Sequence, residues 1–187
     1  MTTYISVAGT DDWSPPDAQR DRWWQSRSDF TRIMSGHGCM RYGWHWGGLD
    51  LPPWSTALAG TFFAGRDERA WWRGAYGLAE DLESLPLTDR NLICHSHGGQ
   101  IGVLVASLVP VHRLITVCTP VRRSMKGHYE AVPCPWLHIY NTHVFKNRMQ
   151  WLGSRAASWS MPGIAENVKI KGIGHSALLR DPGGFPG

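Results

Sequence analysis

The chain is poor in charge. Asp, Glu, Lys and Arg make up 18% of its 187 residues, with a formal net charge of +4. Its basic residues are scattered, and the densest group is Val121-Arg122-Arg123-Ser124-Met125-Lys126. A nucleic-acid surface needs a basic face that tracks phosphates. That class of partner is therefore excluded, and the short basic run reads as ordinary solvated charge. Cysteine is scarce too. Cys39, Cys94, Cys118 and Cys134 contain no C-x-x-C pair and match no zinc spacing. Cys94 and Cys118 fall in expected central strands, where a thiol acts as a small buried hydrophobe. All four read as reduced, with a Cys39–Cys134 bridge the one pairing left open. Long apolar runs are missing: the longest, Ile101 to Val111, is interrupted by Ser107 and Pro110 and is too short to cross a bilayer. The first residues enter a strand without a basic n-region, an apolar h-region or a cleavage site. The expectation is a soluble, cytoplasmic protein with no transmembrane segment.

What is present suits a globular core. Hydrophobic residues reach 42%, with 21 glycines and 11 tryptophans. That length and composition fit one domain over 1–187. Short β-branched runs alternate with helical patterns. Strands are expected at Thr3 to Val7, Met40 to Trp46, "RNLICH", "HRLITVCT", "PWLHIYNT" and Asn167 to Ile173. Between them, Trp23, Phe30 and Met34 mark one helical face. Trp72, Ala75, Ala79 and Leu82 mark another, ended by Pro86, and "GGQIGVLVASLV" reads as a buried helix stopped by Pro110. A short helix "ALLRD" and a frayed tail at 182–187 close the chain. The Gly- and Pro-rich stretch 47–66 reads as a rim or short cap. Strands alternating with helices imply right-handed crossovers and a mostly parallel sheet of about six strands, covered on both faces.

The chemistry is concentrated in "LICHSHGGQIGVLVASLVP". Ser96 stands between an expected strand and an expected helix, at the carboxyl end where ligands bind open sheets. A hydroxyl is a weak nucleophile until a base takes its proton and donors stabilise the oxyanion. A sharp strand–turn–helix corner exposes Oγ and aims the N–H groups and positive end of the helix at an attacked carbonyl. Gly98 and Gly99 permit the close approach that such a corner needs.

"CHSHGG" resembles the G-x-S-x-G nucleophile elbow of α/β-hydrolases, in the "GHSHGG" form of lipase- and esterase-like members, with Cys94 where glycine is usual. The resemblance extends over most of the chain. "VKIKGIGHSALLRDP" is similar to the family's last strand and catalytic histidine, which implies His175 as the base. "ISVAGTDDW" is similar to the oxyanion loop, with Ala8 where histidine is common. The backbone N–H groups of Thr10 and His97 are then the implied hole. "NRMQWLGS" resembles "D-x-V-Q-x-x-G-S", which puts Asn147 where the family has its aspartate. No Asp or Glu lies between Glu130 and Glu166. Three explanations stand side by side: Asn147 orients the histidine in a slower triad, Glu130 or another carboxylate swings in, or the site has lost its chemistry.

The resemblance implies a single-domain α/β-hydrolase-like fold and a serine hydrolase cleaving carboxylic esters of small acyl or lipid substrates. Thioesterase or amide-deacylase activity needs the same parts, and a catalytically silent binding protein is the reading from another class. No cofactor is implied. His95 and His97 lack a third ligand at metal spacing, so no metal is expected. His95 is expected to pack under the turn. In the doublets Trp23-Trp24 and Trp71-Trp72, adjacent residues lie about 100° apart, so one of each faces the core. Trp13, Trp44, Trp46 and Trp54 are the candidates for an acyl-binding wall.

Overall fold

The computed structural model describes residues 2–7, 39–44, 68–141 and 160–170, with the backbone alone at 2–3 and 39–44. Six strands are present among the described residues: β1 (Thr2–Val7), β2 (Cys39–Trp44), β3 (Asn91–His95), β4 (Arg113–Val117), β5 (Trp136–Asn141) and β6 (Glu166–Ile170). All neighbours pair in parallel, in the order β2-β1-β3-β4-β5-β6. The six expected strands are these six.

Burial explains their composition. Every residue of β3 is buried, as a central parallel strand covered on both faces requires. β6 lies at the edge and is largely open, carrying Glu166 and Lys169. Charge on an edge strand discourages pairing with another chain.

Among the described residues three α-helices connect these strands: α1 (Glu68–Glu83), α2 (Gly98–Leu108) and the single turn α3 (Lys126–Glu130). Each feeds a strand added on the same side of the sheet, so right-handed crossovers put all three on one face. α1 packs on α2, and α2 packs on β3, β4 and α3. α2 is buried from Gly98 to Ala106, because an apolar helix walled by sheet and helices has no wet side. The expected helices at 21–35 and 177–181 and the rim at 47–66 lie outside the described residues.

One expectation about α1 is corrected. Its buried stripe is Ala70, Trp71, Gly74, Ala75, Leu78, Ala79 and Leu82, so Trp71, not Trp72, heads the core face. Trp71 is four residues before Ala75 and seven before Leu78, which stacks all three on one stripe. Trp72, about 100° round, is half-buried at the margin. The sequence expectation that one of the doublet faces inward holds. Cys134 is a free thiol, so the Cys39–Cys134 bridge is not formed. No helix among the described residues is long and apolar enough to cross a membrane.

Candidate active site

The strand order reverses at β1, which has β2 on one side and β3 on the other. In open parallel sheets such a reversal is where ligands bind, outside the carboxyl ends of the strands. Ser96 follows β3 directly and α2 begins two residues later, at Gly98.

The backbone of Ser96 is left-handed, with φ 53. A Cβ disfavours this region, and non-glycine residues held there concentrate at functional sites. Two hydrogen bonds hold it: the Ser96 N–H donates to Val117 O at 3.0 Å, and the Gly99 N–H donates to Ser96 O at 3.0 Å. The first ties the corner to β4 and the second starts the turn into α2. Ser96 is 8% exposed, so it does not lie on an open surface turn.

Close approach explains the glycines. A Cβ on Gly99 would overlap the side chain of Thr119, just past β4. One on Gly102 would lie 2.5 Å from Cys94 Sγ and 3.0 Å from Leu114. This accounts for the departure at Cys94. The thiol fills space against α2 that a glycine would leave empty, and Gly102 makes room for it. Burial pushes the Cys94 thiol well above the usual thiol range, with Cys134 adding to the shift, so it stays protonated and is no rival nucleophile. Cys118, also left-handed at φ 49, is pushed up to about 12 by burial, against a hydrogen bond from Asn141.

His97 is 5% exposed and its ring is engaged. It stacks on Trp71 with centroids 5.9 Å apart and planes 19° apart. Arg122 Nη2 donates to its Nε2 at 3.3 Å, while the guanidinium carbon lies 5.9 Å from the Trp71 ring centre. Burial, then Arg122, then His95 lower the His97 pKa to about 3. The imidazole is therefore neutral at ordinary pH, with its proton on Nδ1 and its Nε2 lone pair directed at the guanidinium. A ring so occupied is not the base for Ser96.

Arg122 corrects an expectation, since the basic run 121–126 is not uniformly solvated. Arg123 and Lys126 are exposed, whereas Arg122 is half-buried against His97 and Trp71. Its loop is locked to α2. The Gln100 amide donates to Pro120 O. Tyr129 Oη donates to Gln100 Oε1 at 2.8 Å and accepts the Arg122 backbone N–H at 2.9 Å. Gln100 and Tyr129 are both buried, and neither stood out in the sequence. The available signal was position, because Arg122 lies five residues past the end of β4 on the edge that carries Ser96.

Of the remaining expected site residues, Trp44 ends β2 in register with Val7. Thr10, Trp13, Trp46, Trp54, Asn147 and His175 lie outside the described residues. His95, the last residue of β3, is buried. Glu130, the alternative acid, is exposed on α3 and pairs with Lys126 at 3.6 Å. Among the described residues no group of three or more His, Cys, Asp or Glu is placed to hold a metal.

A parallel sheet in this order, with a left-handed serine between a central strand and its helix at the switch point, is the α/β-hydrolase architecture. Solved structures share it. One is the dienelactone hydrolase-like promiscuous phosphotriesterase from metagenomic libraries, with 15% identity and TM-score 0.59, covering 100% of this chain and 77% of that one. Another is an alpha/beta hydrolase enzyme from the metagenome of Mar Chica lagoon sediments, Morocco, with 14% identity and TM-score 0.57, covering 97% and 85%. A third is the esterase domain of a Rhodothermus marinus protein, with 14% identity and TM-score 0.52, covering 96% and 79%. At such identities the likeness establishes the fold. No family model and no curated protein matches the sequence.

Proposed function

We propose that the chain is a serine hydrolase that cleaves carboxylic esters through Ser96, His175 and Asn147. The observation that carries this reading is the left-handed backbone of Ser96 at the junction of β3 and α2. Left-handed non-glycine residues concentrate at functional sites, and Ser96, unlike Cys118 at φ 49, puts its hydroxyl at the corner between a central strand and its helix. Register adds support: Val7, the last residue of β1, pairs with Cys94, and in the sequence Thr10 comes three residues after Val7 and Ser96 two after Cys94. Solved structures that share the fold include an esterase domain and hydrolases, in keeping with this reading.

In this mechanism His175 takes the proton of Ser96 Oγ as the oxygen attacks the ester carbonyl. The N–H groups of Thr10 and His97 hold the oxyanion. Collapse expels the alcohol, protonated by His175, and leaves an acyl-serine. Water, deprotonated by His175, then releases the acid. Asn147 accepts from the imidazole Nδ1–H and sets its tautomer, without balancing the imidazolium charge. Trp13, Trp44, Trp46 and Trp54 line the acyl side, where burial contributes roughly 25 cal/mol per Å². Thioesters and amides fit the same parts.

A fluorophosphonate probe tests the reading. Wild type labels and Ser96→Ala does not. Absence of labelling across about pH 6 to 9, where a histidine of pKa about 6.5 becomes neutral, overturns it. That result would favour the silent binding protein, the reading supported by the lack of any carboxylate between Glu130 and Glu166.

A further inference from the structure

We infer that Arg122 is a positioning residue of the nucleophile elbow: by clamping the His97 imidazole against Trp71, it fixes the direction of the His97 backbone N–H. This rests on the serine-hydrolase reading, in which that N–H is an oxyanion donor.

Ser96, in the left-handed region, and His97, at φ −66, are consecutive. The direction of the amide between them depends on both conformations, and small rotations swing it away from a developing oxyanion. The carbonyl of that amide, Ser96 O, accepts the Gly99 N–H, and the His97 side chain adds a second hold through contacts to other elements. Trp71 of α1 supports one face of its ring, and Arg122, from the loop after β4, holds its Nε2. Arg122 also lies over Trp71, so three elements meet at one ring. The clamp needs a neutral histidine, because two cations would repel. Burial and Arg122 keep His97 in that state. Anchorage of the clamp is independent of its side chain: Tyr129 accepts the Arg122 backbone N–H, and Gln100 holds Pro120. Replacing the arginine side chain therefore leaves the loop tied to α2.

The test compares wild type with Arg122→Ala and Arg122→Lys, each alone and combined with His97→Ala. Fluorophosphonate labelling rates and the kcat and KM of a neutral p-nitrophenyl ester are measured, and folding is followed by thermal unfolding. Losing one oxyanion donor costs about 10²–10³ in kcat, so a loosened donor in Arg122→Ala should cost about 10- to 100-fold in kcat with little change in KM. Arg122→Lys retains a charged donor and should be intermediate. In the His97→Ala background, where there is no ring to hold, Arg122→Ala should add little further loss. Wild-type kcat in a folded Arg122→Ala, or additive losses in the double variant, overturns the proposal. So does a loss confined to KM, which would make Arg122 a substrate contact. Failure of wild type itself to label overturns the hydrolase reading instead, so the two failures are distinguishable.

Discussion

Ser96→Gly should make the protein more stable while abolishing covalent labelling. The perturbation removes only the Cβ and hydroxyl. The hydrogen bonds that hold the corner, Ser96 N–H to Val117 O and Gly99 N–H to Ser96 O, are backbone bonds and persist. At φ 53 an L-residue pays roughly 1–2 kcal/mol that glycine does not. Glycine's greater freedom in the unfolded chain takes back about 0.4–1 kcal/mol. The net gain is about 0–1.6 kcal/mol with a midpoint of about 0.8, or about 2–3 °C in Tm at that midpoint for a domain of this size. Ser96→Ala is the control, because it loses the hydroxyl and keeps the Cβ, and therefore the strain. Thermal and urea unfolding of the three proteins, followed by circular dichroism, reads the difference. A Ser96→Gly protein that melts below wild type, or an alanine variant that gains as much, refutes the claim that the corner is strained.

The His97 shift has a pH consequence. Its folded pKa is lowered to about 3 against about 6.5 unfolded. Above 6.5 both states are neutral and stability is unaffected; below it only the unfolded state takes the proton. Stability should fall by up to about 1.4 kcal/mol per pH unit from about 6.5 towards 3. Urea midpoints for wild type and His97→Gln check this, and identical slopes would show that His97 is not the cause. Gly99→Ala should cost about 1–3 kcal/mol by overpacking, because the new Cβ meets the Cβ as well as the outer atoms of Thr119 and rotation cannot clear it. An unchanged Tm would place α2 farther from Thr119. Asn147→Asp should preserve or raise ester turnover, by at most the roughly 10⁴-fold that the reverse change costs a serine protease. A large loss in a folded protein would put the acid elsewhere.

Strands were legible in the sequence because parallel, doubly covered strands are short unbroken apolar runs, and "RNLICH" and "HRLITVCT" announce themselves. The stripe of α1 was legible only to within one residue. Trp71 and Trp72 have the same chemistry, and the choice between them depends on where His97 and Arg122 present a surface to stack on. Arg122 itself was misread, since a charge in a basic run looks the same whether it faces water or an imidazole.

Local sequence determined that a serine sits on a glycine-flanked turn between strand and helix, because turn chemistry and apolar period act over neighbouring residues. Only the tertiary structure decided what surrounds that turn. The left-handed Ser96, the room at Gly99 and Gly102, and the Trp71–His97–Arg122 stack all arise from elements tens of residues apart. Their contacts exist only once the sheet has set its order and register, and no single stretch of chain encodes that distance.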